Sequence, residues 1–219
     1  MTFRMQFEED LNTLRDHIKE LAIGTKKALR RSVDALYNKD IHTAREIMED
    51  DSELDAKEEQ INEEAILMIA KQQPVATDLR RLIIALKISS DLERMADHAT
   101  NIAKATIHLG EDHTIHVSPE IQEMADVALD MLDLSIKAFE NEDITLAKKL
   151  GEMDDIIDNK YGSLIREMLE QTAVNPEQIQ HVMQMAFSAR FIERFADHIT
   201  NIGENIFYLV KGKTYDLND

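Results

Sequence analysis

Apolar residues recur every three to four positions along most of the chain, which is the pattern of amphipathic α-helices. In the first half, three such runs cover about residues 7–37, 41–70 and 74–109. The sequence "NKD" separates the first two runs, and "KQQP" separates the second from the third. Pro74 is a favoured residue for the first turn of a helix, so we expect it to open the third helix.

Three more helical runs follow the polar sequence "GEDHTIHVSPE" in the second half. Ser118 and Pro119 have the residue types of an N-cap and a first helical position, and they predict the start of the fourth helix. The sequence "NED" ends that helix. Asn175 and Pro176 are expected to cap and open the sixth helix by the same reasoning. The chain is therefore predicted to be all-α, with six helices.

The two halves are an internal repeat. The segment "ALRRSVDALYNKDIHTAREI" (28–47) aligns with "MLDLSIKAFENEDITLAKKL" (131–150), and "ERMADHATNI" (93–102) matches "ERFADHITNI" (193–202) at eight of ten positions. Self-similarity over this length indicates a duplicated bundle rather than a solenoid of short repeats. We predict two tandem antiparallel three-helix bundles, which occupy residues 1–110 and 111–219.

The composition restricts the function. The chain of 219 residues has no cysteine and a formal net charge of −18. The lack of cysteine excludes a disulfide framework and a thiolate nucleophile. The negative charge argues against direct binding of nucleic acid or acidic lipid. Because the start "MTFRMQFEED" lacks the apolar segment of a signal peptide, we expect a cytoplasmic protein that reaches a membrane only through its partners.

Acidic residues separated by four positions occur at matching places in both repeats. The pairs are Asp51/Asp55, Glu93/Asp97, Asp154/Asp158 and Glu193/Asp197. Residues four apart lie on one side of a helix, so Asn101 and Asn201 extend the stripes of Asp97 and Asp197 by one further turn. Both asparagines are therefore predicted as candidate metal ligands together with the acids. The stripes on the third and sixth helices lie roughly opposite to the apolar positions. We therefore expect them to face outward.

Two like charges at this spacing destabilise a helix, and a hard cation would reverse that cost. If the second and third helices of each bundle are neighbours, their acidic pairs converge on one multinuclear site. The spacing is also common on solvated acidic helices and on faces that bind basic partners. The pattern alone does not choose among these three interpretations.

The flank of each stripe carries an arginine and a histidine, namely Arg94, His98, Arg194 and His198. The arginines are interpreted as ion-pair partners and the histidines as hydrogen-bonded residues at the core boundary, with partner binding as the alternative role. Three further histidines lie close to or within the connection between the bundles, and we expect them to be solvated: His108, His113 and His116.

Two longer segments carry a resemblance to a known family. They are "QQPVATDLRRLIIALKISSDLERMADHATNIAK" (72–104) and "ARFIERFADHITNIGENIFYLVKGK" (189–213). Both resemble the PhoU family of phosphate-signalling regulators, and the resemblance extends over essentially the whole chain.

The resemblance implies a cytosolic, often dimeric protein that couples the cytoplasmic subunits of a phosphate ABC transporter to a sensor histidine kinase. With phosphate plentiful, such a protein holds the kinase in its inhibitory state, represses the starvation response and modulates uptake. It also implies multinuclear metal clusters at the four acidic pairs, with iron ahead of zinc, manganese, magnesium or calcium. No catalytic residue is expected.

Two alternatives belong to other classes. A metalloenzyme or metal store on a helical bundle, such as a di-iron carboxylate protein, would use inward Glu-x-x-His pairs. None of the eight histidines has a glutamate three residues before it. The other alternative is a helical scaffold without a ligand.

Overall fold

The computed structural model describes residues 2–113, 116–174 and 176–217. Within these ranges the regular structure consists of helices, as predicted. They are α1 Thr2–Asn38, α2 Ile41–Gln72, α3 Thr77–Leu109, α4 Pro119–Asn141, α5 Ile144–Val174, a 3-10 turn Pro176–Gln178, and α6 Ile179–Lys211. The helices form two tandem three-helix bundles, α1–α3 and α4–α6, which confirms the predicted fold class.

The short connections within the bundles are set by capping side chains. Asp40 accepts hydrogen bonds from the backbone N–H of Thr43 (2.9 Å) and from its hydroxyl (2.7 Å). Asp143 occupies the same place in the second repeat and accepts from the N–H of Thr145 at 2.7 Å. Ser118 caps α4 and Pro119 is its first residue, as predicted. These caps satisfy N–H groups that a helix start leaves without partners.

Two predicted helix starts are wrong by three residues. Pro74 lies in the connection, and α3 begins at Thr77, because Gln73 and Ala76 adopt positive φ angles of 47° and 50° to reverse the chain. Pro176 opens a 3-10 turn, and α6 begins at Ile179. A proline is compatible with a helix start but does not determine where the following helix begins. Asn175, the predicted cap, lies outside the described residues.

The two bundles meet along α3 and α6, which share the most extensive contact in the protein. These helices run antiparallel, since Asp91 of α3 bonds to His198 and Asn201 of α6, while Lys87 lies over the ring of Tyr208. One hydrophobic core runs through both bundles. The division at residues 110/111 stays a prediction.

The outer helices separate the acidic pairs of the two repeats. Among the described residues, α2 contacts only α1 and α3, and α5 contacts only α4, α6 and the 3-10 turn. The acidic pairs of the first repeat therefore lie on one flank of the molecule, and those of the second repeat lie on another. No helix in the described ranges is both long and apolar enough to span a membrane.

The repeats differ at the start. α1 has 37 residues and α4 has 23. Because both helices end at equivalent residues, Asn38 and Asn141, the extra length lies at the beginning of α1. Residues 2–15 thus have no helical counterpart in the second repeat.

Candidate metal centre: two acidic seams

The contact between α2 and α3 brings the first two acidic pairs together. We call Asp51, Asp55, Glu93 and Asp97 the first acidic seam. Burial raises the pKa of Asp51, and the charges of Asp55 and Asp97 add to the rise. Burial, and then the charge of Asp97, likewise raises the pKa of Glu93. The helices are neighbours, so the acids converge across the seam.

Asp51 has a neutral hydrogen-bond donor. The hydroxyl of Thr100 on α3 donates to its Oδ1 at 3.0 Å, which opposes the rise of its pKa. A groove of about 210 Å³ beside α1 leads to Asp51, and Arg31 on its wall is paired with Glu46 and Asp50 of α2. The first seam is therefore partly solvated, and Arg31 pairs with acids beside the seam and not with its members.

The second acidic seam, Asp154, Asp158, Glu193 and Asp197, is the equivalent site between α5 and α6. Asp154 is only 4% exposed and Glu193 only 8%. Burial, followed by the charge of Asp158, raises the pKa of Asp154 to about 7. Burial and the charge of Asp197 raise the pKa of Glu193 to about 7, although Arg190 opposes the rise. Burial among other carboxylates thus favours the protonated form of both acids.

Each of these two buried acids has an oxygen without a donor. Within the described ranges, Oδ1 of Asp154 and Oε2 of Glu193 are buried and have no hydrogen-bond partner. The other oxygen of Glu193 accepts a hydrogen bond from Arg190, whose guanidinium also lies over the ring of Tyr161. A buried carboxylate oxygen without a donor is costly, so these atoms are suited to a cation or a proton.

The expected outward orientation of the acidic stripes is wrong. Glu193 is buried, and Glu93, Asp97 and Asp197 are half-buried against the neighbouring helix. Each helix of a three-helix bundle packs against two others. A face that lies well away from the apolar stripe of its own helix can therefore still pack against the second neighbouring helix. A helical pattern shows the angle between the faces but does not show what covers each of them.

The two asparagines differ in their surroundings. Asn101 is half-buried, and its side-chain oxygen accepts from Lys104 at 3.3 Å. Asn201 is exposed, and its amide donates to Asp91 of α3 at 3.3 Å. Asn201 therefore also helps to join the bundles. The predicted metal-ligand role of both residues stays a prediction.

His98 and His198 lie against each other between the bundles, with ring centroids 5.4 Å apart. His198 Nδ1 lies 3.0 Å from Asp91 Oδ1, as expected for a hydrogen-bonded boundary residue. His98 instead stacks on Phe191, which is the counterpart of Asp91, with centroids 6.0 Å apart. Burial and then His198 lower the pKa of His98 to about 4.

The flanking arginines are exposed. Nε of Arg94 lies 3.7 Å from Glu93, a weak ion pair at an exposed position, and the charge of Arg194 acts on Glu193. A partner-binding role stays a prediction for Arg94, Arg194, His98 and His198. The position of the histidines in the α3–α6 contact favours a role in joining the bundles.

Sequence reasoning missed several neighbours of the seams. Thr100 and Arg190 were not singled out, although Arg190 precedes Glu193 by the three residues typical of a helical ion pair. The expectation that His113 is solvated is wrong. It is 5% exposed, its ring lies 6.4 Å from that of His181, and its carbonyl accepts from Lys39 at 2.6 Å. His108 and His116 are exposed, as expected.

The donor set fits a hard cation in composition. Each seam offers four carboxylates from two helices, and oxygen ligands suit iron, manganese, magnesium or calcium. In the part of the chain that the structure describes, no three Asp, Glu or His side chains have the mutual spacing of a formed metal centre. Side-chain rotation would therefore accompany binding. A bound cation would supply positive charge that offsets the repulsion among the carboxylates.

Comparisons with known proteins agree with this architecture. A family model described as "PhoU domain" matches residues 18–106 and again 121–206. A protein from Rhizobium meliloti, named phosphate-specific transport system accessory protein PhoU homolog, is 36% identical over 94% of this chain and 87% of its own. A homolog of the same name from Clostridium acetobutylicum is 32% identical over 99% of both chains.

Solved structures show the same fold. PhoU from Pseudomonas aeruginosa superposes with a TM-score of 0.89 at 30% identity, over 94% of this chain and all of that one. The phosphate transport system regulatory protein PhoU from Streptococcus pneumoniae gives 0.88 at 29% identity, over 96% and 99%.

The fold and the seams define a duplicated three-helix-bundle protein with an acidic cluster in each repeat. The sequence comparisons are specific beyond this class, because the family model matches both repeats. The chain belongs to the PhoU family.

Proposed function

We propose that this protein is a cytoplasmic accessory regulator of phosphate transport. In this proposal it couples the cytoplasmic subunits of a phosphate ABC transporter to a sensor histidine kinase, represses the starvation response and modulates phosphate uptake. The observation that carries the proposal is the relationship, over nearly the full chain, to proteins named as phosphate-specific transport system accessory proteins. The accessory role given in those names also favours a function without catalysis.

The charge of the chain supports contact with a membrane transporter. Cytoplasmic loops of membrane proteins are enriched in lysine and arginine, and a chain with a net charge of −18 complements them. We propose that the protein acts as a homodimer and reaches the membrane only through such partners, without contact to nucleic acid.

Deletion of the gene tests the proposed role. We expect phosphate-scavenging genes to become active in high phosphate, as measured with a transcriptional reporter, and a plasmid copy of the gene to restore repression. A reporter that stays silent in the deletion strain would contradict the proposal. Pull-down with purified transporter subunits and with the kinase tests the two contacts separately.

We further propose that both acidic seams bind multinuclear metal clusters, with iron ahead of zinc, manganese, magnesium or calcium. The unpartnered oxygens of Asp154 and Glu193 support this proposal. They also favour the second candidate function, a metal-holding helical bundle without a role in phosphate signalling. A deletion strain with normal repression, together with metal-loaded protein, would favour that second function.

A further inference from the structure

After α6 the chain turns back along the second bundle. Gly212 ends α6 with a φ angle of 68°, and its N–H donates to the carbonyl of Tyr208 at 2.9 Å. Such a φ angle favours glycine. A side chain at Gly212 would also meet the guanidinium of Arg80 on α3, so the turn is closely packed. We call residues 212–217 the C-terminal strap.

Three contacts hold the strap between α5 and α6. The side chain of Leu217 packs on the hydrophobic core, and its backbone N–H donates to Oε1 of Glu204 at 3.1 Å. The ring of Tyr215 stacks on that of Phe207, with centroids 4.7 Å apart. The two anchoring side chains are two residues apart, which is the spacing that puts both on one side of an extended segment.

Two glycines make the room for Leu217. A Cβ at Gly151 of α5 would lie 2.9 Å from the backbone oxygen of Leu217, and one at Gly203 of α6 would lie 2.7 Å from its Cδ1. Glycine inside a helix lowers the stability of that helix, so space is gained here at a cost in helix stability. We call Gly151, Gly203, Glu204 and Phe207 the strap groove.

The first repeat does not have this groove. Met48 and Ala103 are the counterparts of Gly151 and Gly203, and both carry a side chain. Ala103 is buried in a small apolar cluster with Ile47. The chain that follows α3 leads on to α4 instead of turning back. The groove and its strap are therefore features of the second repeat and do not follow from the duplicated architecture.

The strap is held by few contacts. Its residues from Gly212 to Asp216 are exposed, and Leu217 is half-buried. Tyr215 remains 49% exposed although its ring is stacked. Ordering a segment costs conformational entropy, and one inserted side chain, one backbone hydrogen bond and one ring contact offset little of that cost. A segment held in this way opens locally far more readily than a core helix does.

We propose that the strap groove binds an extended segment of a partner protein in which a leucine follows an aromatic residue by two positions, and that the C-terminal strap is its intramolecular competitor. The strap itself defines this chemistry. The groove supplies space for a leucine, a ring for an aromatic side chain, and a carboxyl oxygen that accepts a backbone N–H.

The tether gives the strap its advantage as a competitor. A segment joined to its site by a short linker is present at an effective concentration in the millimolar range, so it blocks ligands of similar affinity. A partner therefore binds when it is locally concentrated or when the strap is open. This inference goes beyond the proposed function and requires neither phosphate nor metal.

A peptide that copies residues 211–217 tests the proposal on the full-length protein. The receptor carries Tyr215→Ser and Leu217→Ser, which remove the anchors of the strap and leave the groove unchanged. In two-dimensional NMR we expect saturable shifts of the Gly151 and Gly203 amide signals, with half-saturation at about 0.1–1 mM. The parent protein should bind the peptide at least about tenfold more weakly, because its own strap fills the groove.

A matched pair of glycines on α5 locates the binding. Gly151→Leu, added to the receptor, puts a side chain where Leu217 lies and should weaken binding at least about tenfold. Gly162→Leu adds the same side chain where a Cβ meets no atom within 4 Å, and it should leave binding unchanged. Leucine favours a helix more than glycine does, so circular dichroism should show the parent's helix content in both variants.

Two further measurements use the same contacts. A peptide with serine in place of its leucine should bind at least about tenfold more weakly, since it lacks the side chain that is buried. In the otherwise unchanged chain, the amide hydrogen of Leu217 should exchange faster in Gly151→Leu than in the parent, and at the parent's rate in Gly162→Leu.

Four results would overturn the proposal. They are no saturable shift up to about 5 mM peptide, equal binding by the parent and the receptor, equal binding after Gly151→Leu, and equal binding of the serine peptide. Light scattering supplies a fifth, since a dimeric parent that becomes monomeric in Gly151→Leu would assign the groove to the strap of a second copy. The peptide assay needs no phosphate response, so a failure of the gene-deletion experiment would contradict the proposed function and leave this result standing.

Discussion

The two acidic seams contain the same four acidic positions in different surroundings. In the first seam Thr100 donates to Asp51, and Glu58 adds a further negative charge near Glu93. In the second, the counterpart of Glu58 is Tyr161, and Arg190 stands where the first repeat has Ser90. Duplication therefore kept the acids and changed the groups around them.

The hydroxyl groups illustrate this difference. Thr100 bonds to Asp51 of the neighbouring helix at 3.0 Å, whereas its counterpart Thr200 donates to the backbone carbonyl of Asp197 at 2.7 Å. Asp154 consequently lacks the donor that Asp51 has, and it is more deeply buried. The second seam has the larger electrostatic cost in the absence of a cation and would gain the most from binding one.

The largest expected effect is the loss of metal from both seams. In protein purified without chelators or affinity metals, we expect several metal ions per chain, and in Asp97→Ala/Asp197→Ala we expect a reduction of more than about tenfold, because each seam loses a shared ligand. Elemental analysis by plasma mass spectrometry measures the content.

The matched control is Glu49→Ala/Glu152→Ala, which removes two exposed acids at equivalent positions of α2 and α5 and leaves the seams intact. Its metal content should equal that of the parent. Little metal in the parent would contradict metal binding and leave the seams as acidic surfaces for a partner.

The second largest effect is a difference in stability between substitutions in the two seams, measured in the absence of metal. Asp154→Asn should raise the free energy of unfolding by about 2 kcal/mol at pH 8 in the presence of a chelator, because it removes a buried charge that lies among other carboxylates. Asp51→Asn should change it by less than about 0.5 kcal/mol, since an amide oxygen still accepts the hydrogen bond from Thr100.

Urea denaturation followed by circular dichroism measures both values. Equal stabilisation by the two substitutions would contradict the difference between the seams. If metal binds, saturating metal should reverse the order and make Asp154→Asn the less stable protein.

The stability difference between Asp154→Asn and the parent protein should depend on pH only within a definite range. The pKa of Asp154 is raised to about 7 in the folded protein, against about 4 in the unfolded chain. Between these values the folded state binds more protons, so ionisation of Asp154 lowers the stability of metal-free protein as the pH rises. The stability advantage of Asp154→Asn should therefore grow from about pH 4 to pH 7 and then level off. An advantage that does not depend on pH would contradict the raised pKa.

The smallest effect concerns the hydroxyl groups. Thr100→Val should destabilise metal-free protein by about 1 kcal/mol, because Asp51 loses its donor inside the seam. Thr200→Val should have less effect, since Thr200 bonds to a carbonyl of its own helix. A larger loss in Thr200→Val would show that the donor to Asp51 is not what distinguishes the seams.

The sequence predicted much of the fold because its signals are local. The cap at Ser118 satisfies a backbone group within a few residues, so its position was predicted without tertiary information. The connections at Pro74 and Pro176 could not be placed in this way. Their conformations depend on how the chain must turn between packed helices, and Gln73 and Ala76 adopt positive φ angles for that purpose.

The candidate site could be predicted as a set of residues but not as an environment. The four-residue spacing of Glu193 and Asp197 gives their common direction on α6, whereas the burial of Glu193 depends on the adjacent helix. His113 was misjudged for the same reason, because it lies in a polar connection and is nevertheless buried close to His181.

By itself, the sequence determined six helices, a duplication and the acidic residues that each repeat carries, because these depend on periodicity and capping along the chain. The tertiary structure alone decided how deeply each acid is buried and which hydroxyl donates across a seam. These properties depend on which helix lies alongside which, and such contacts join residues far apart in the chain.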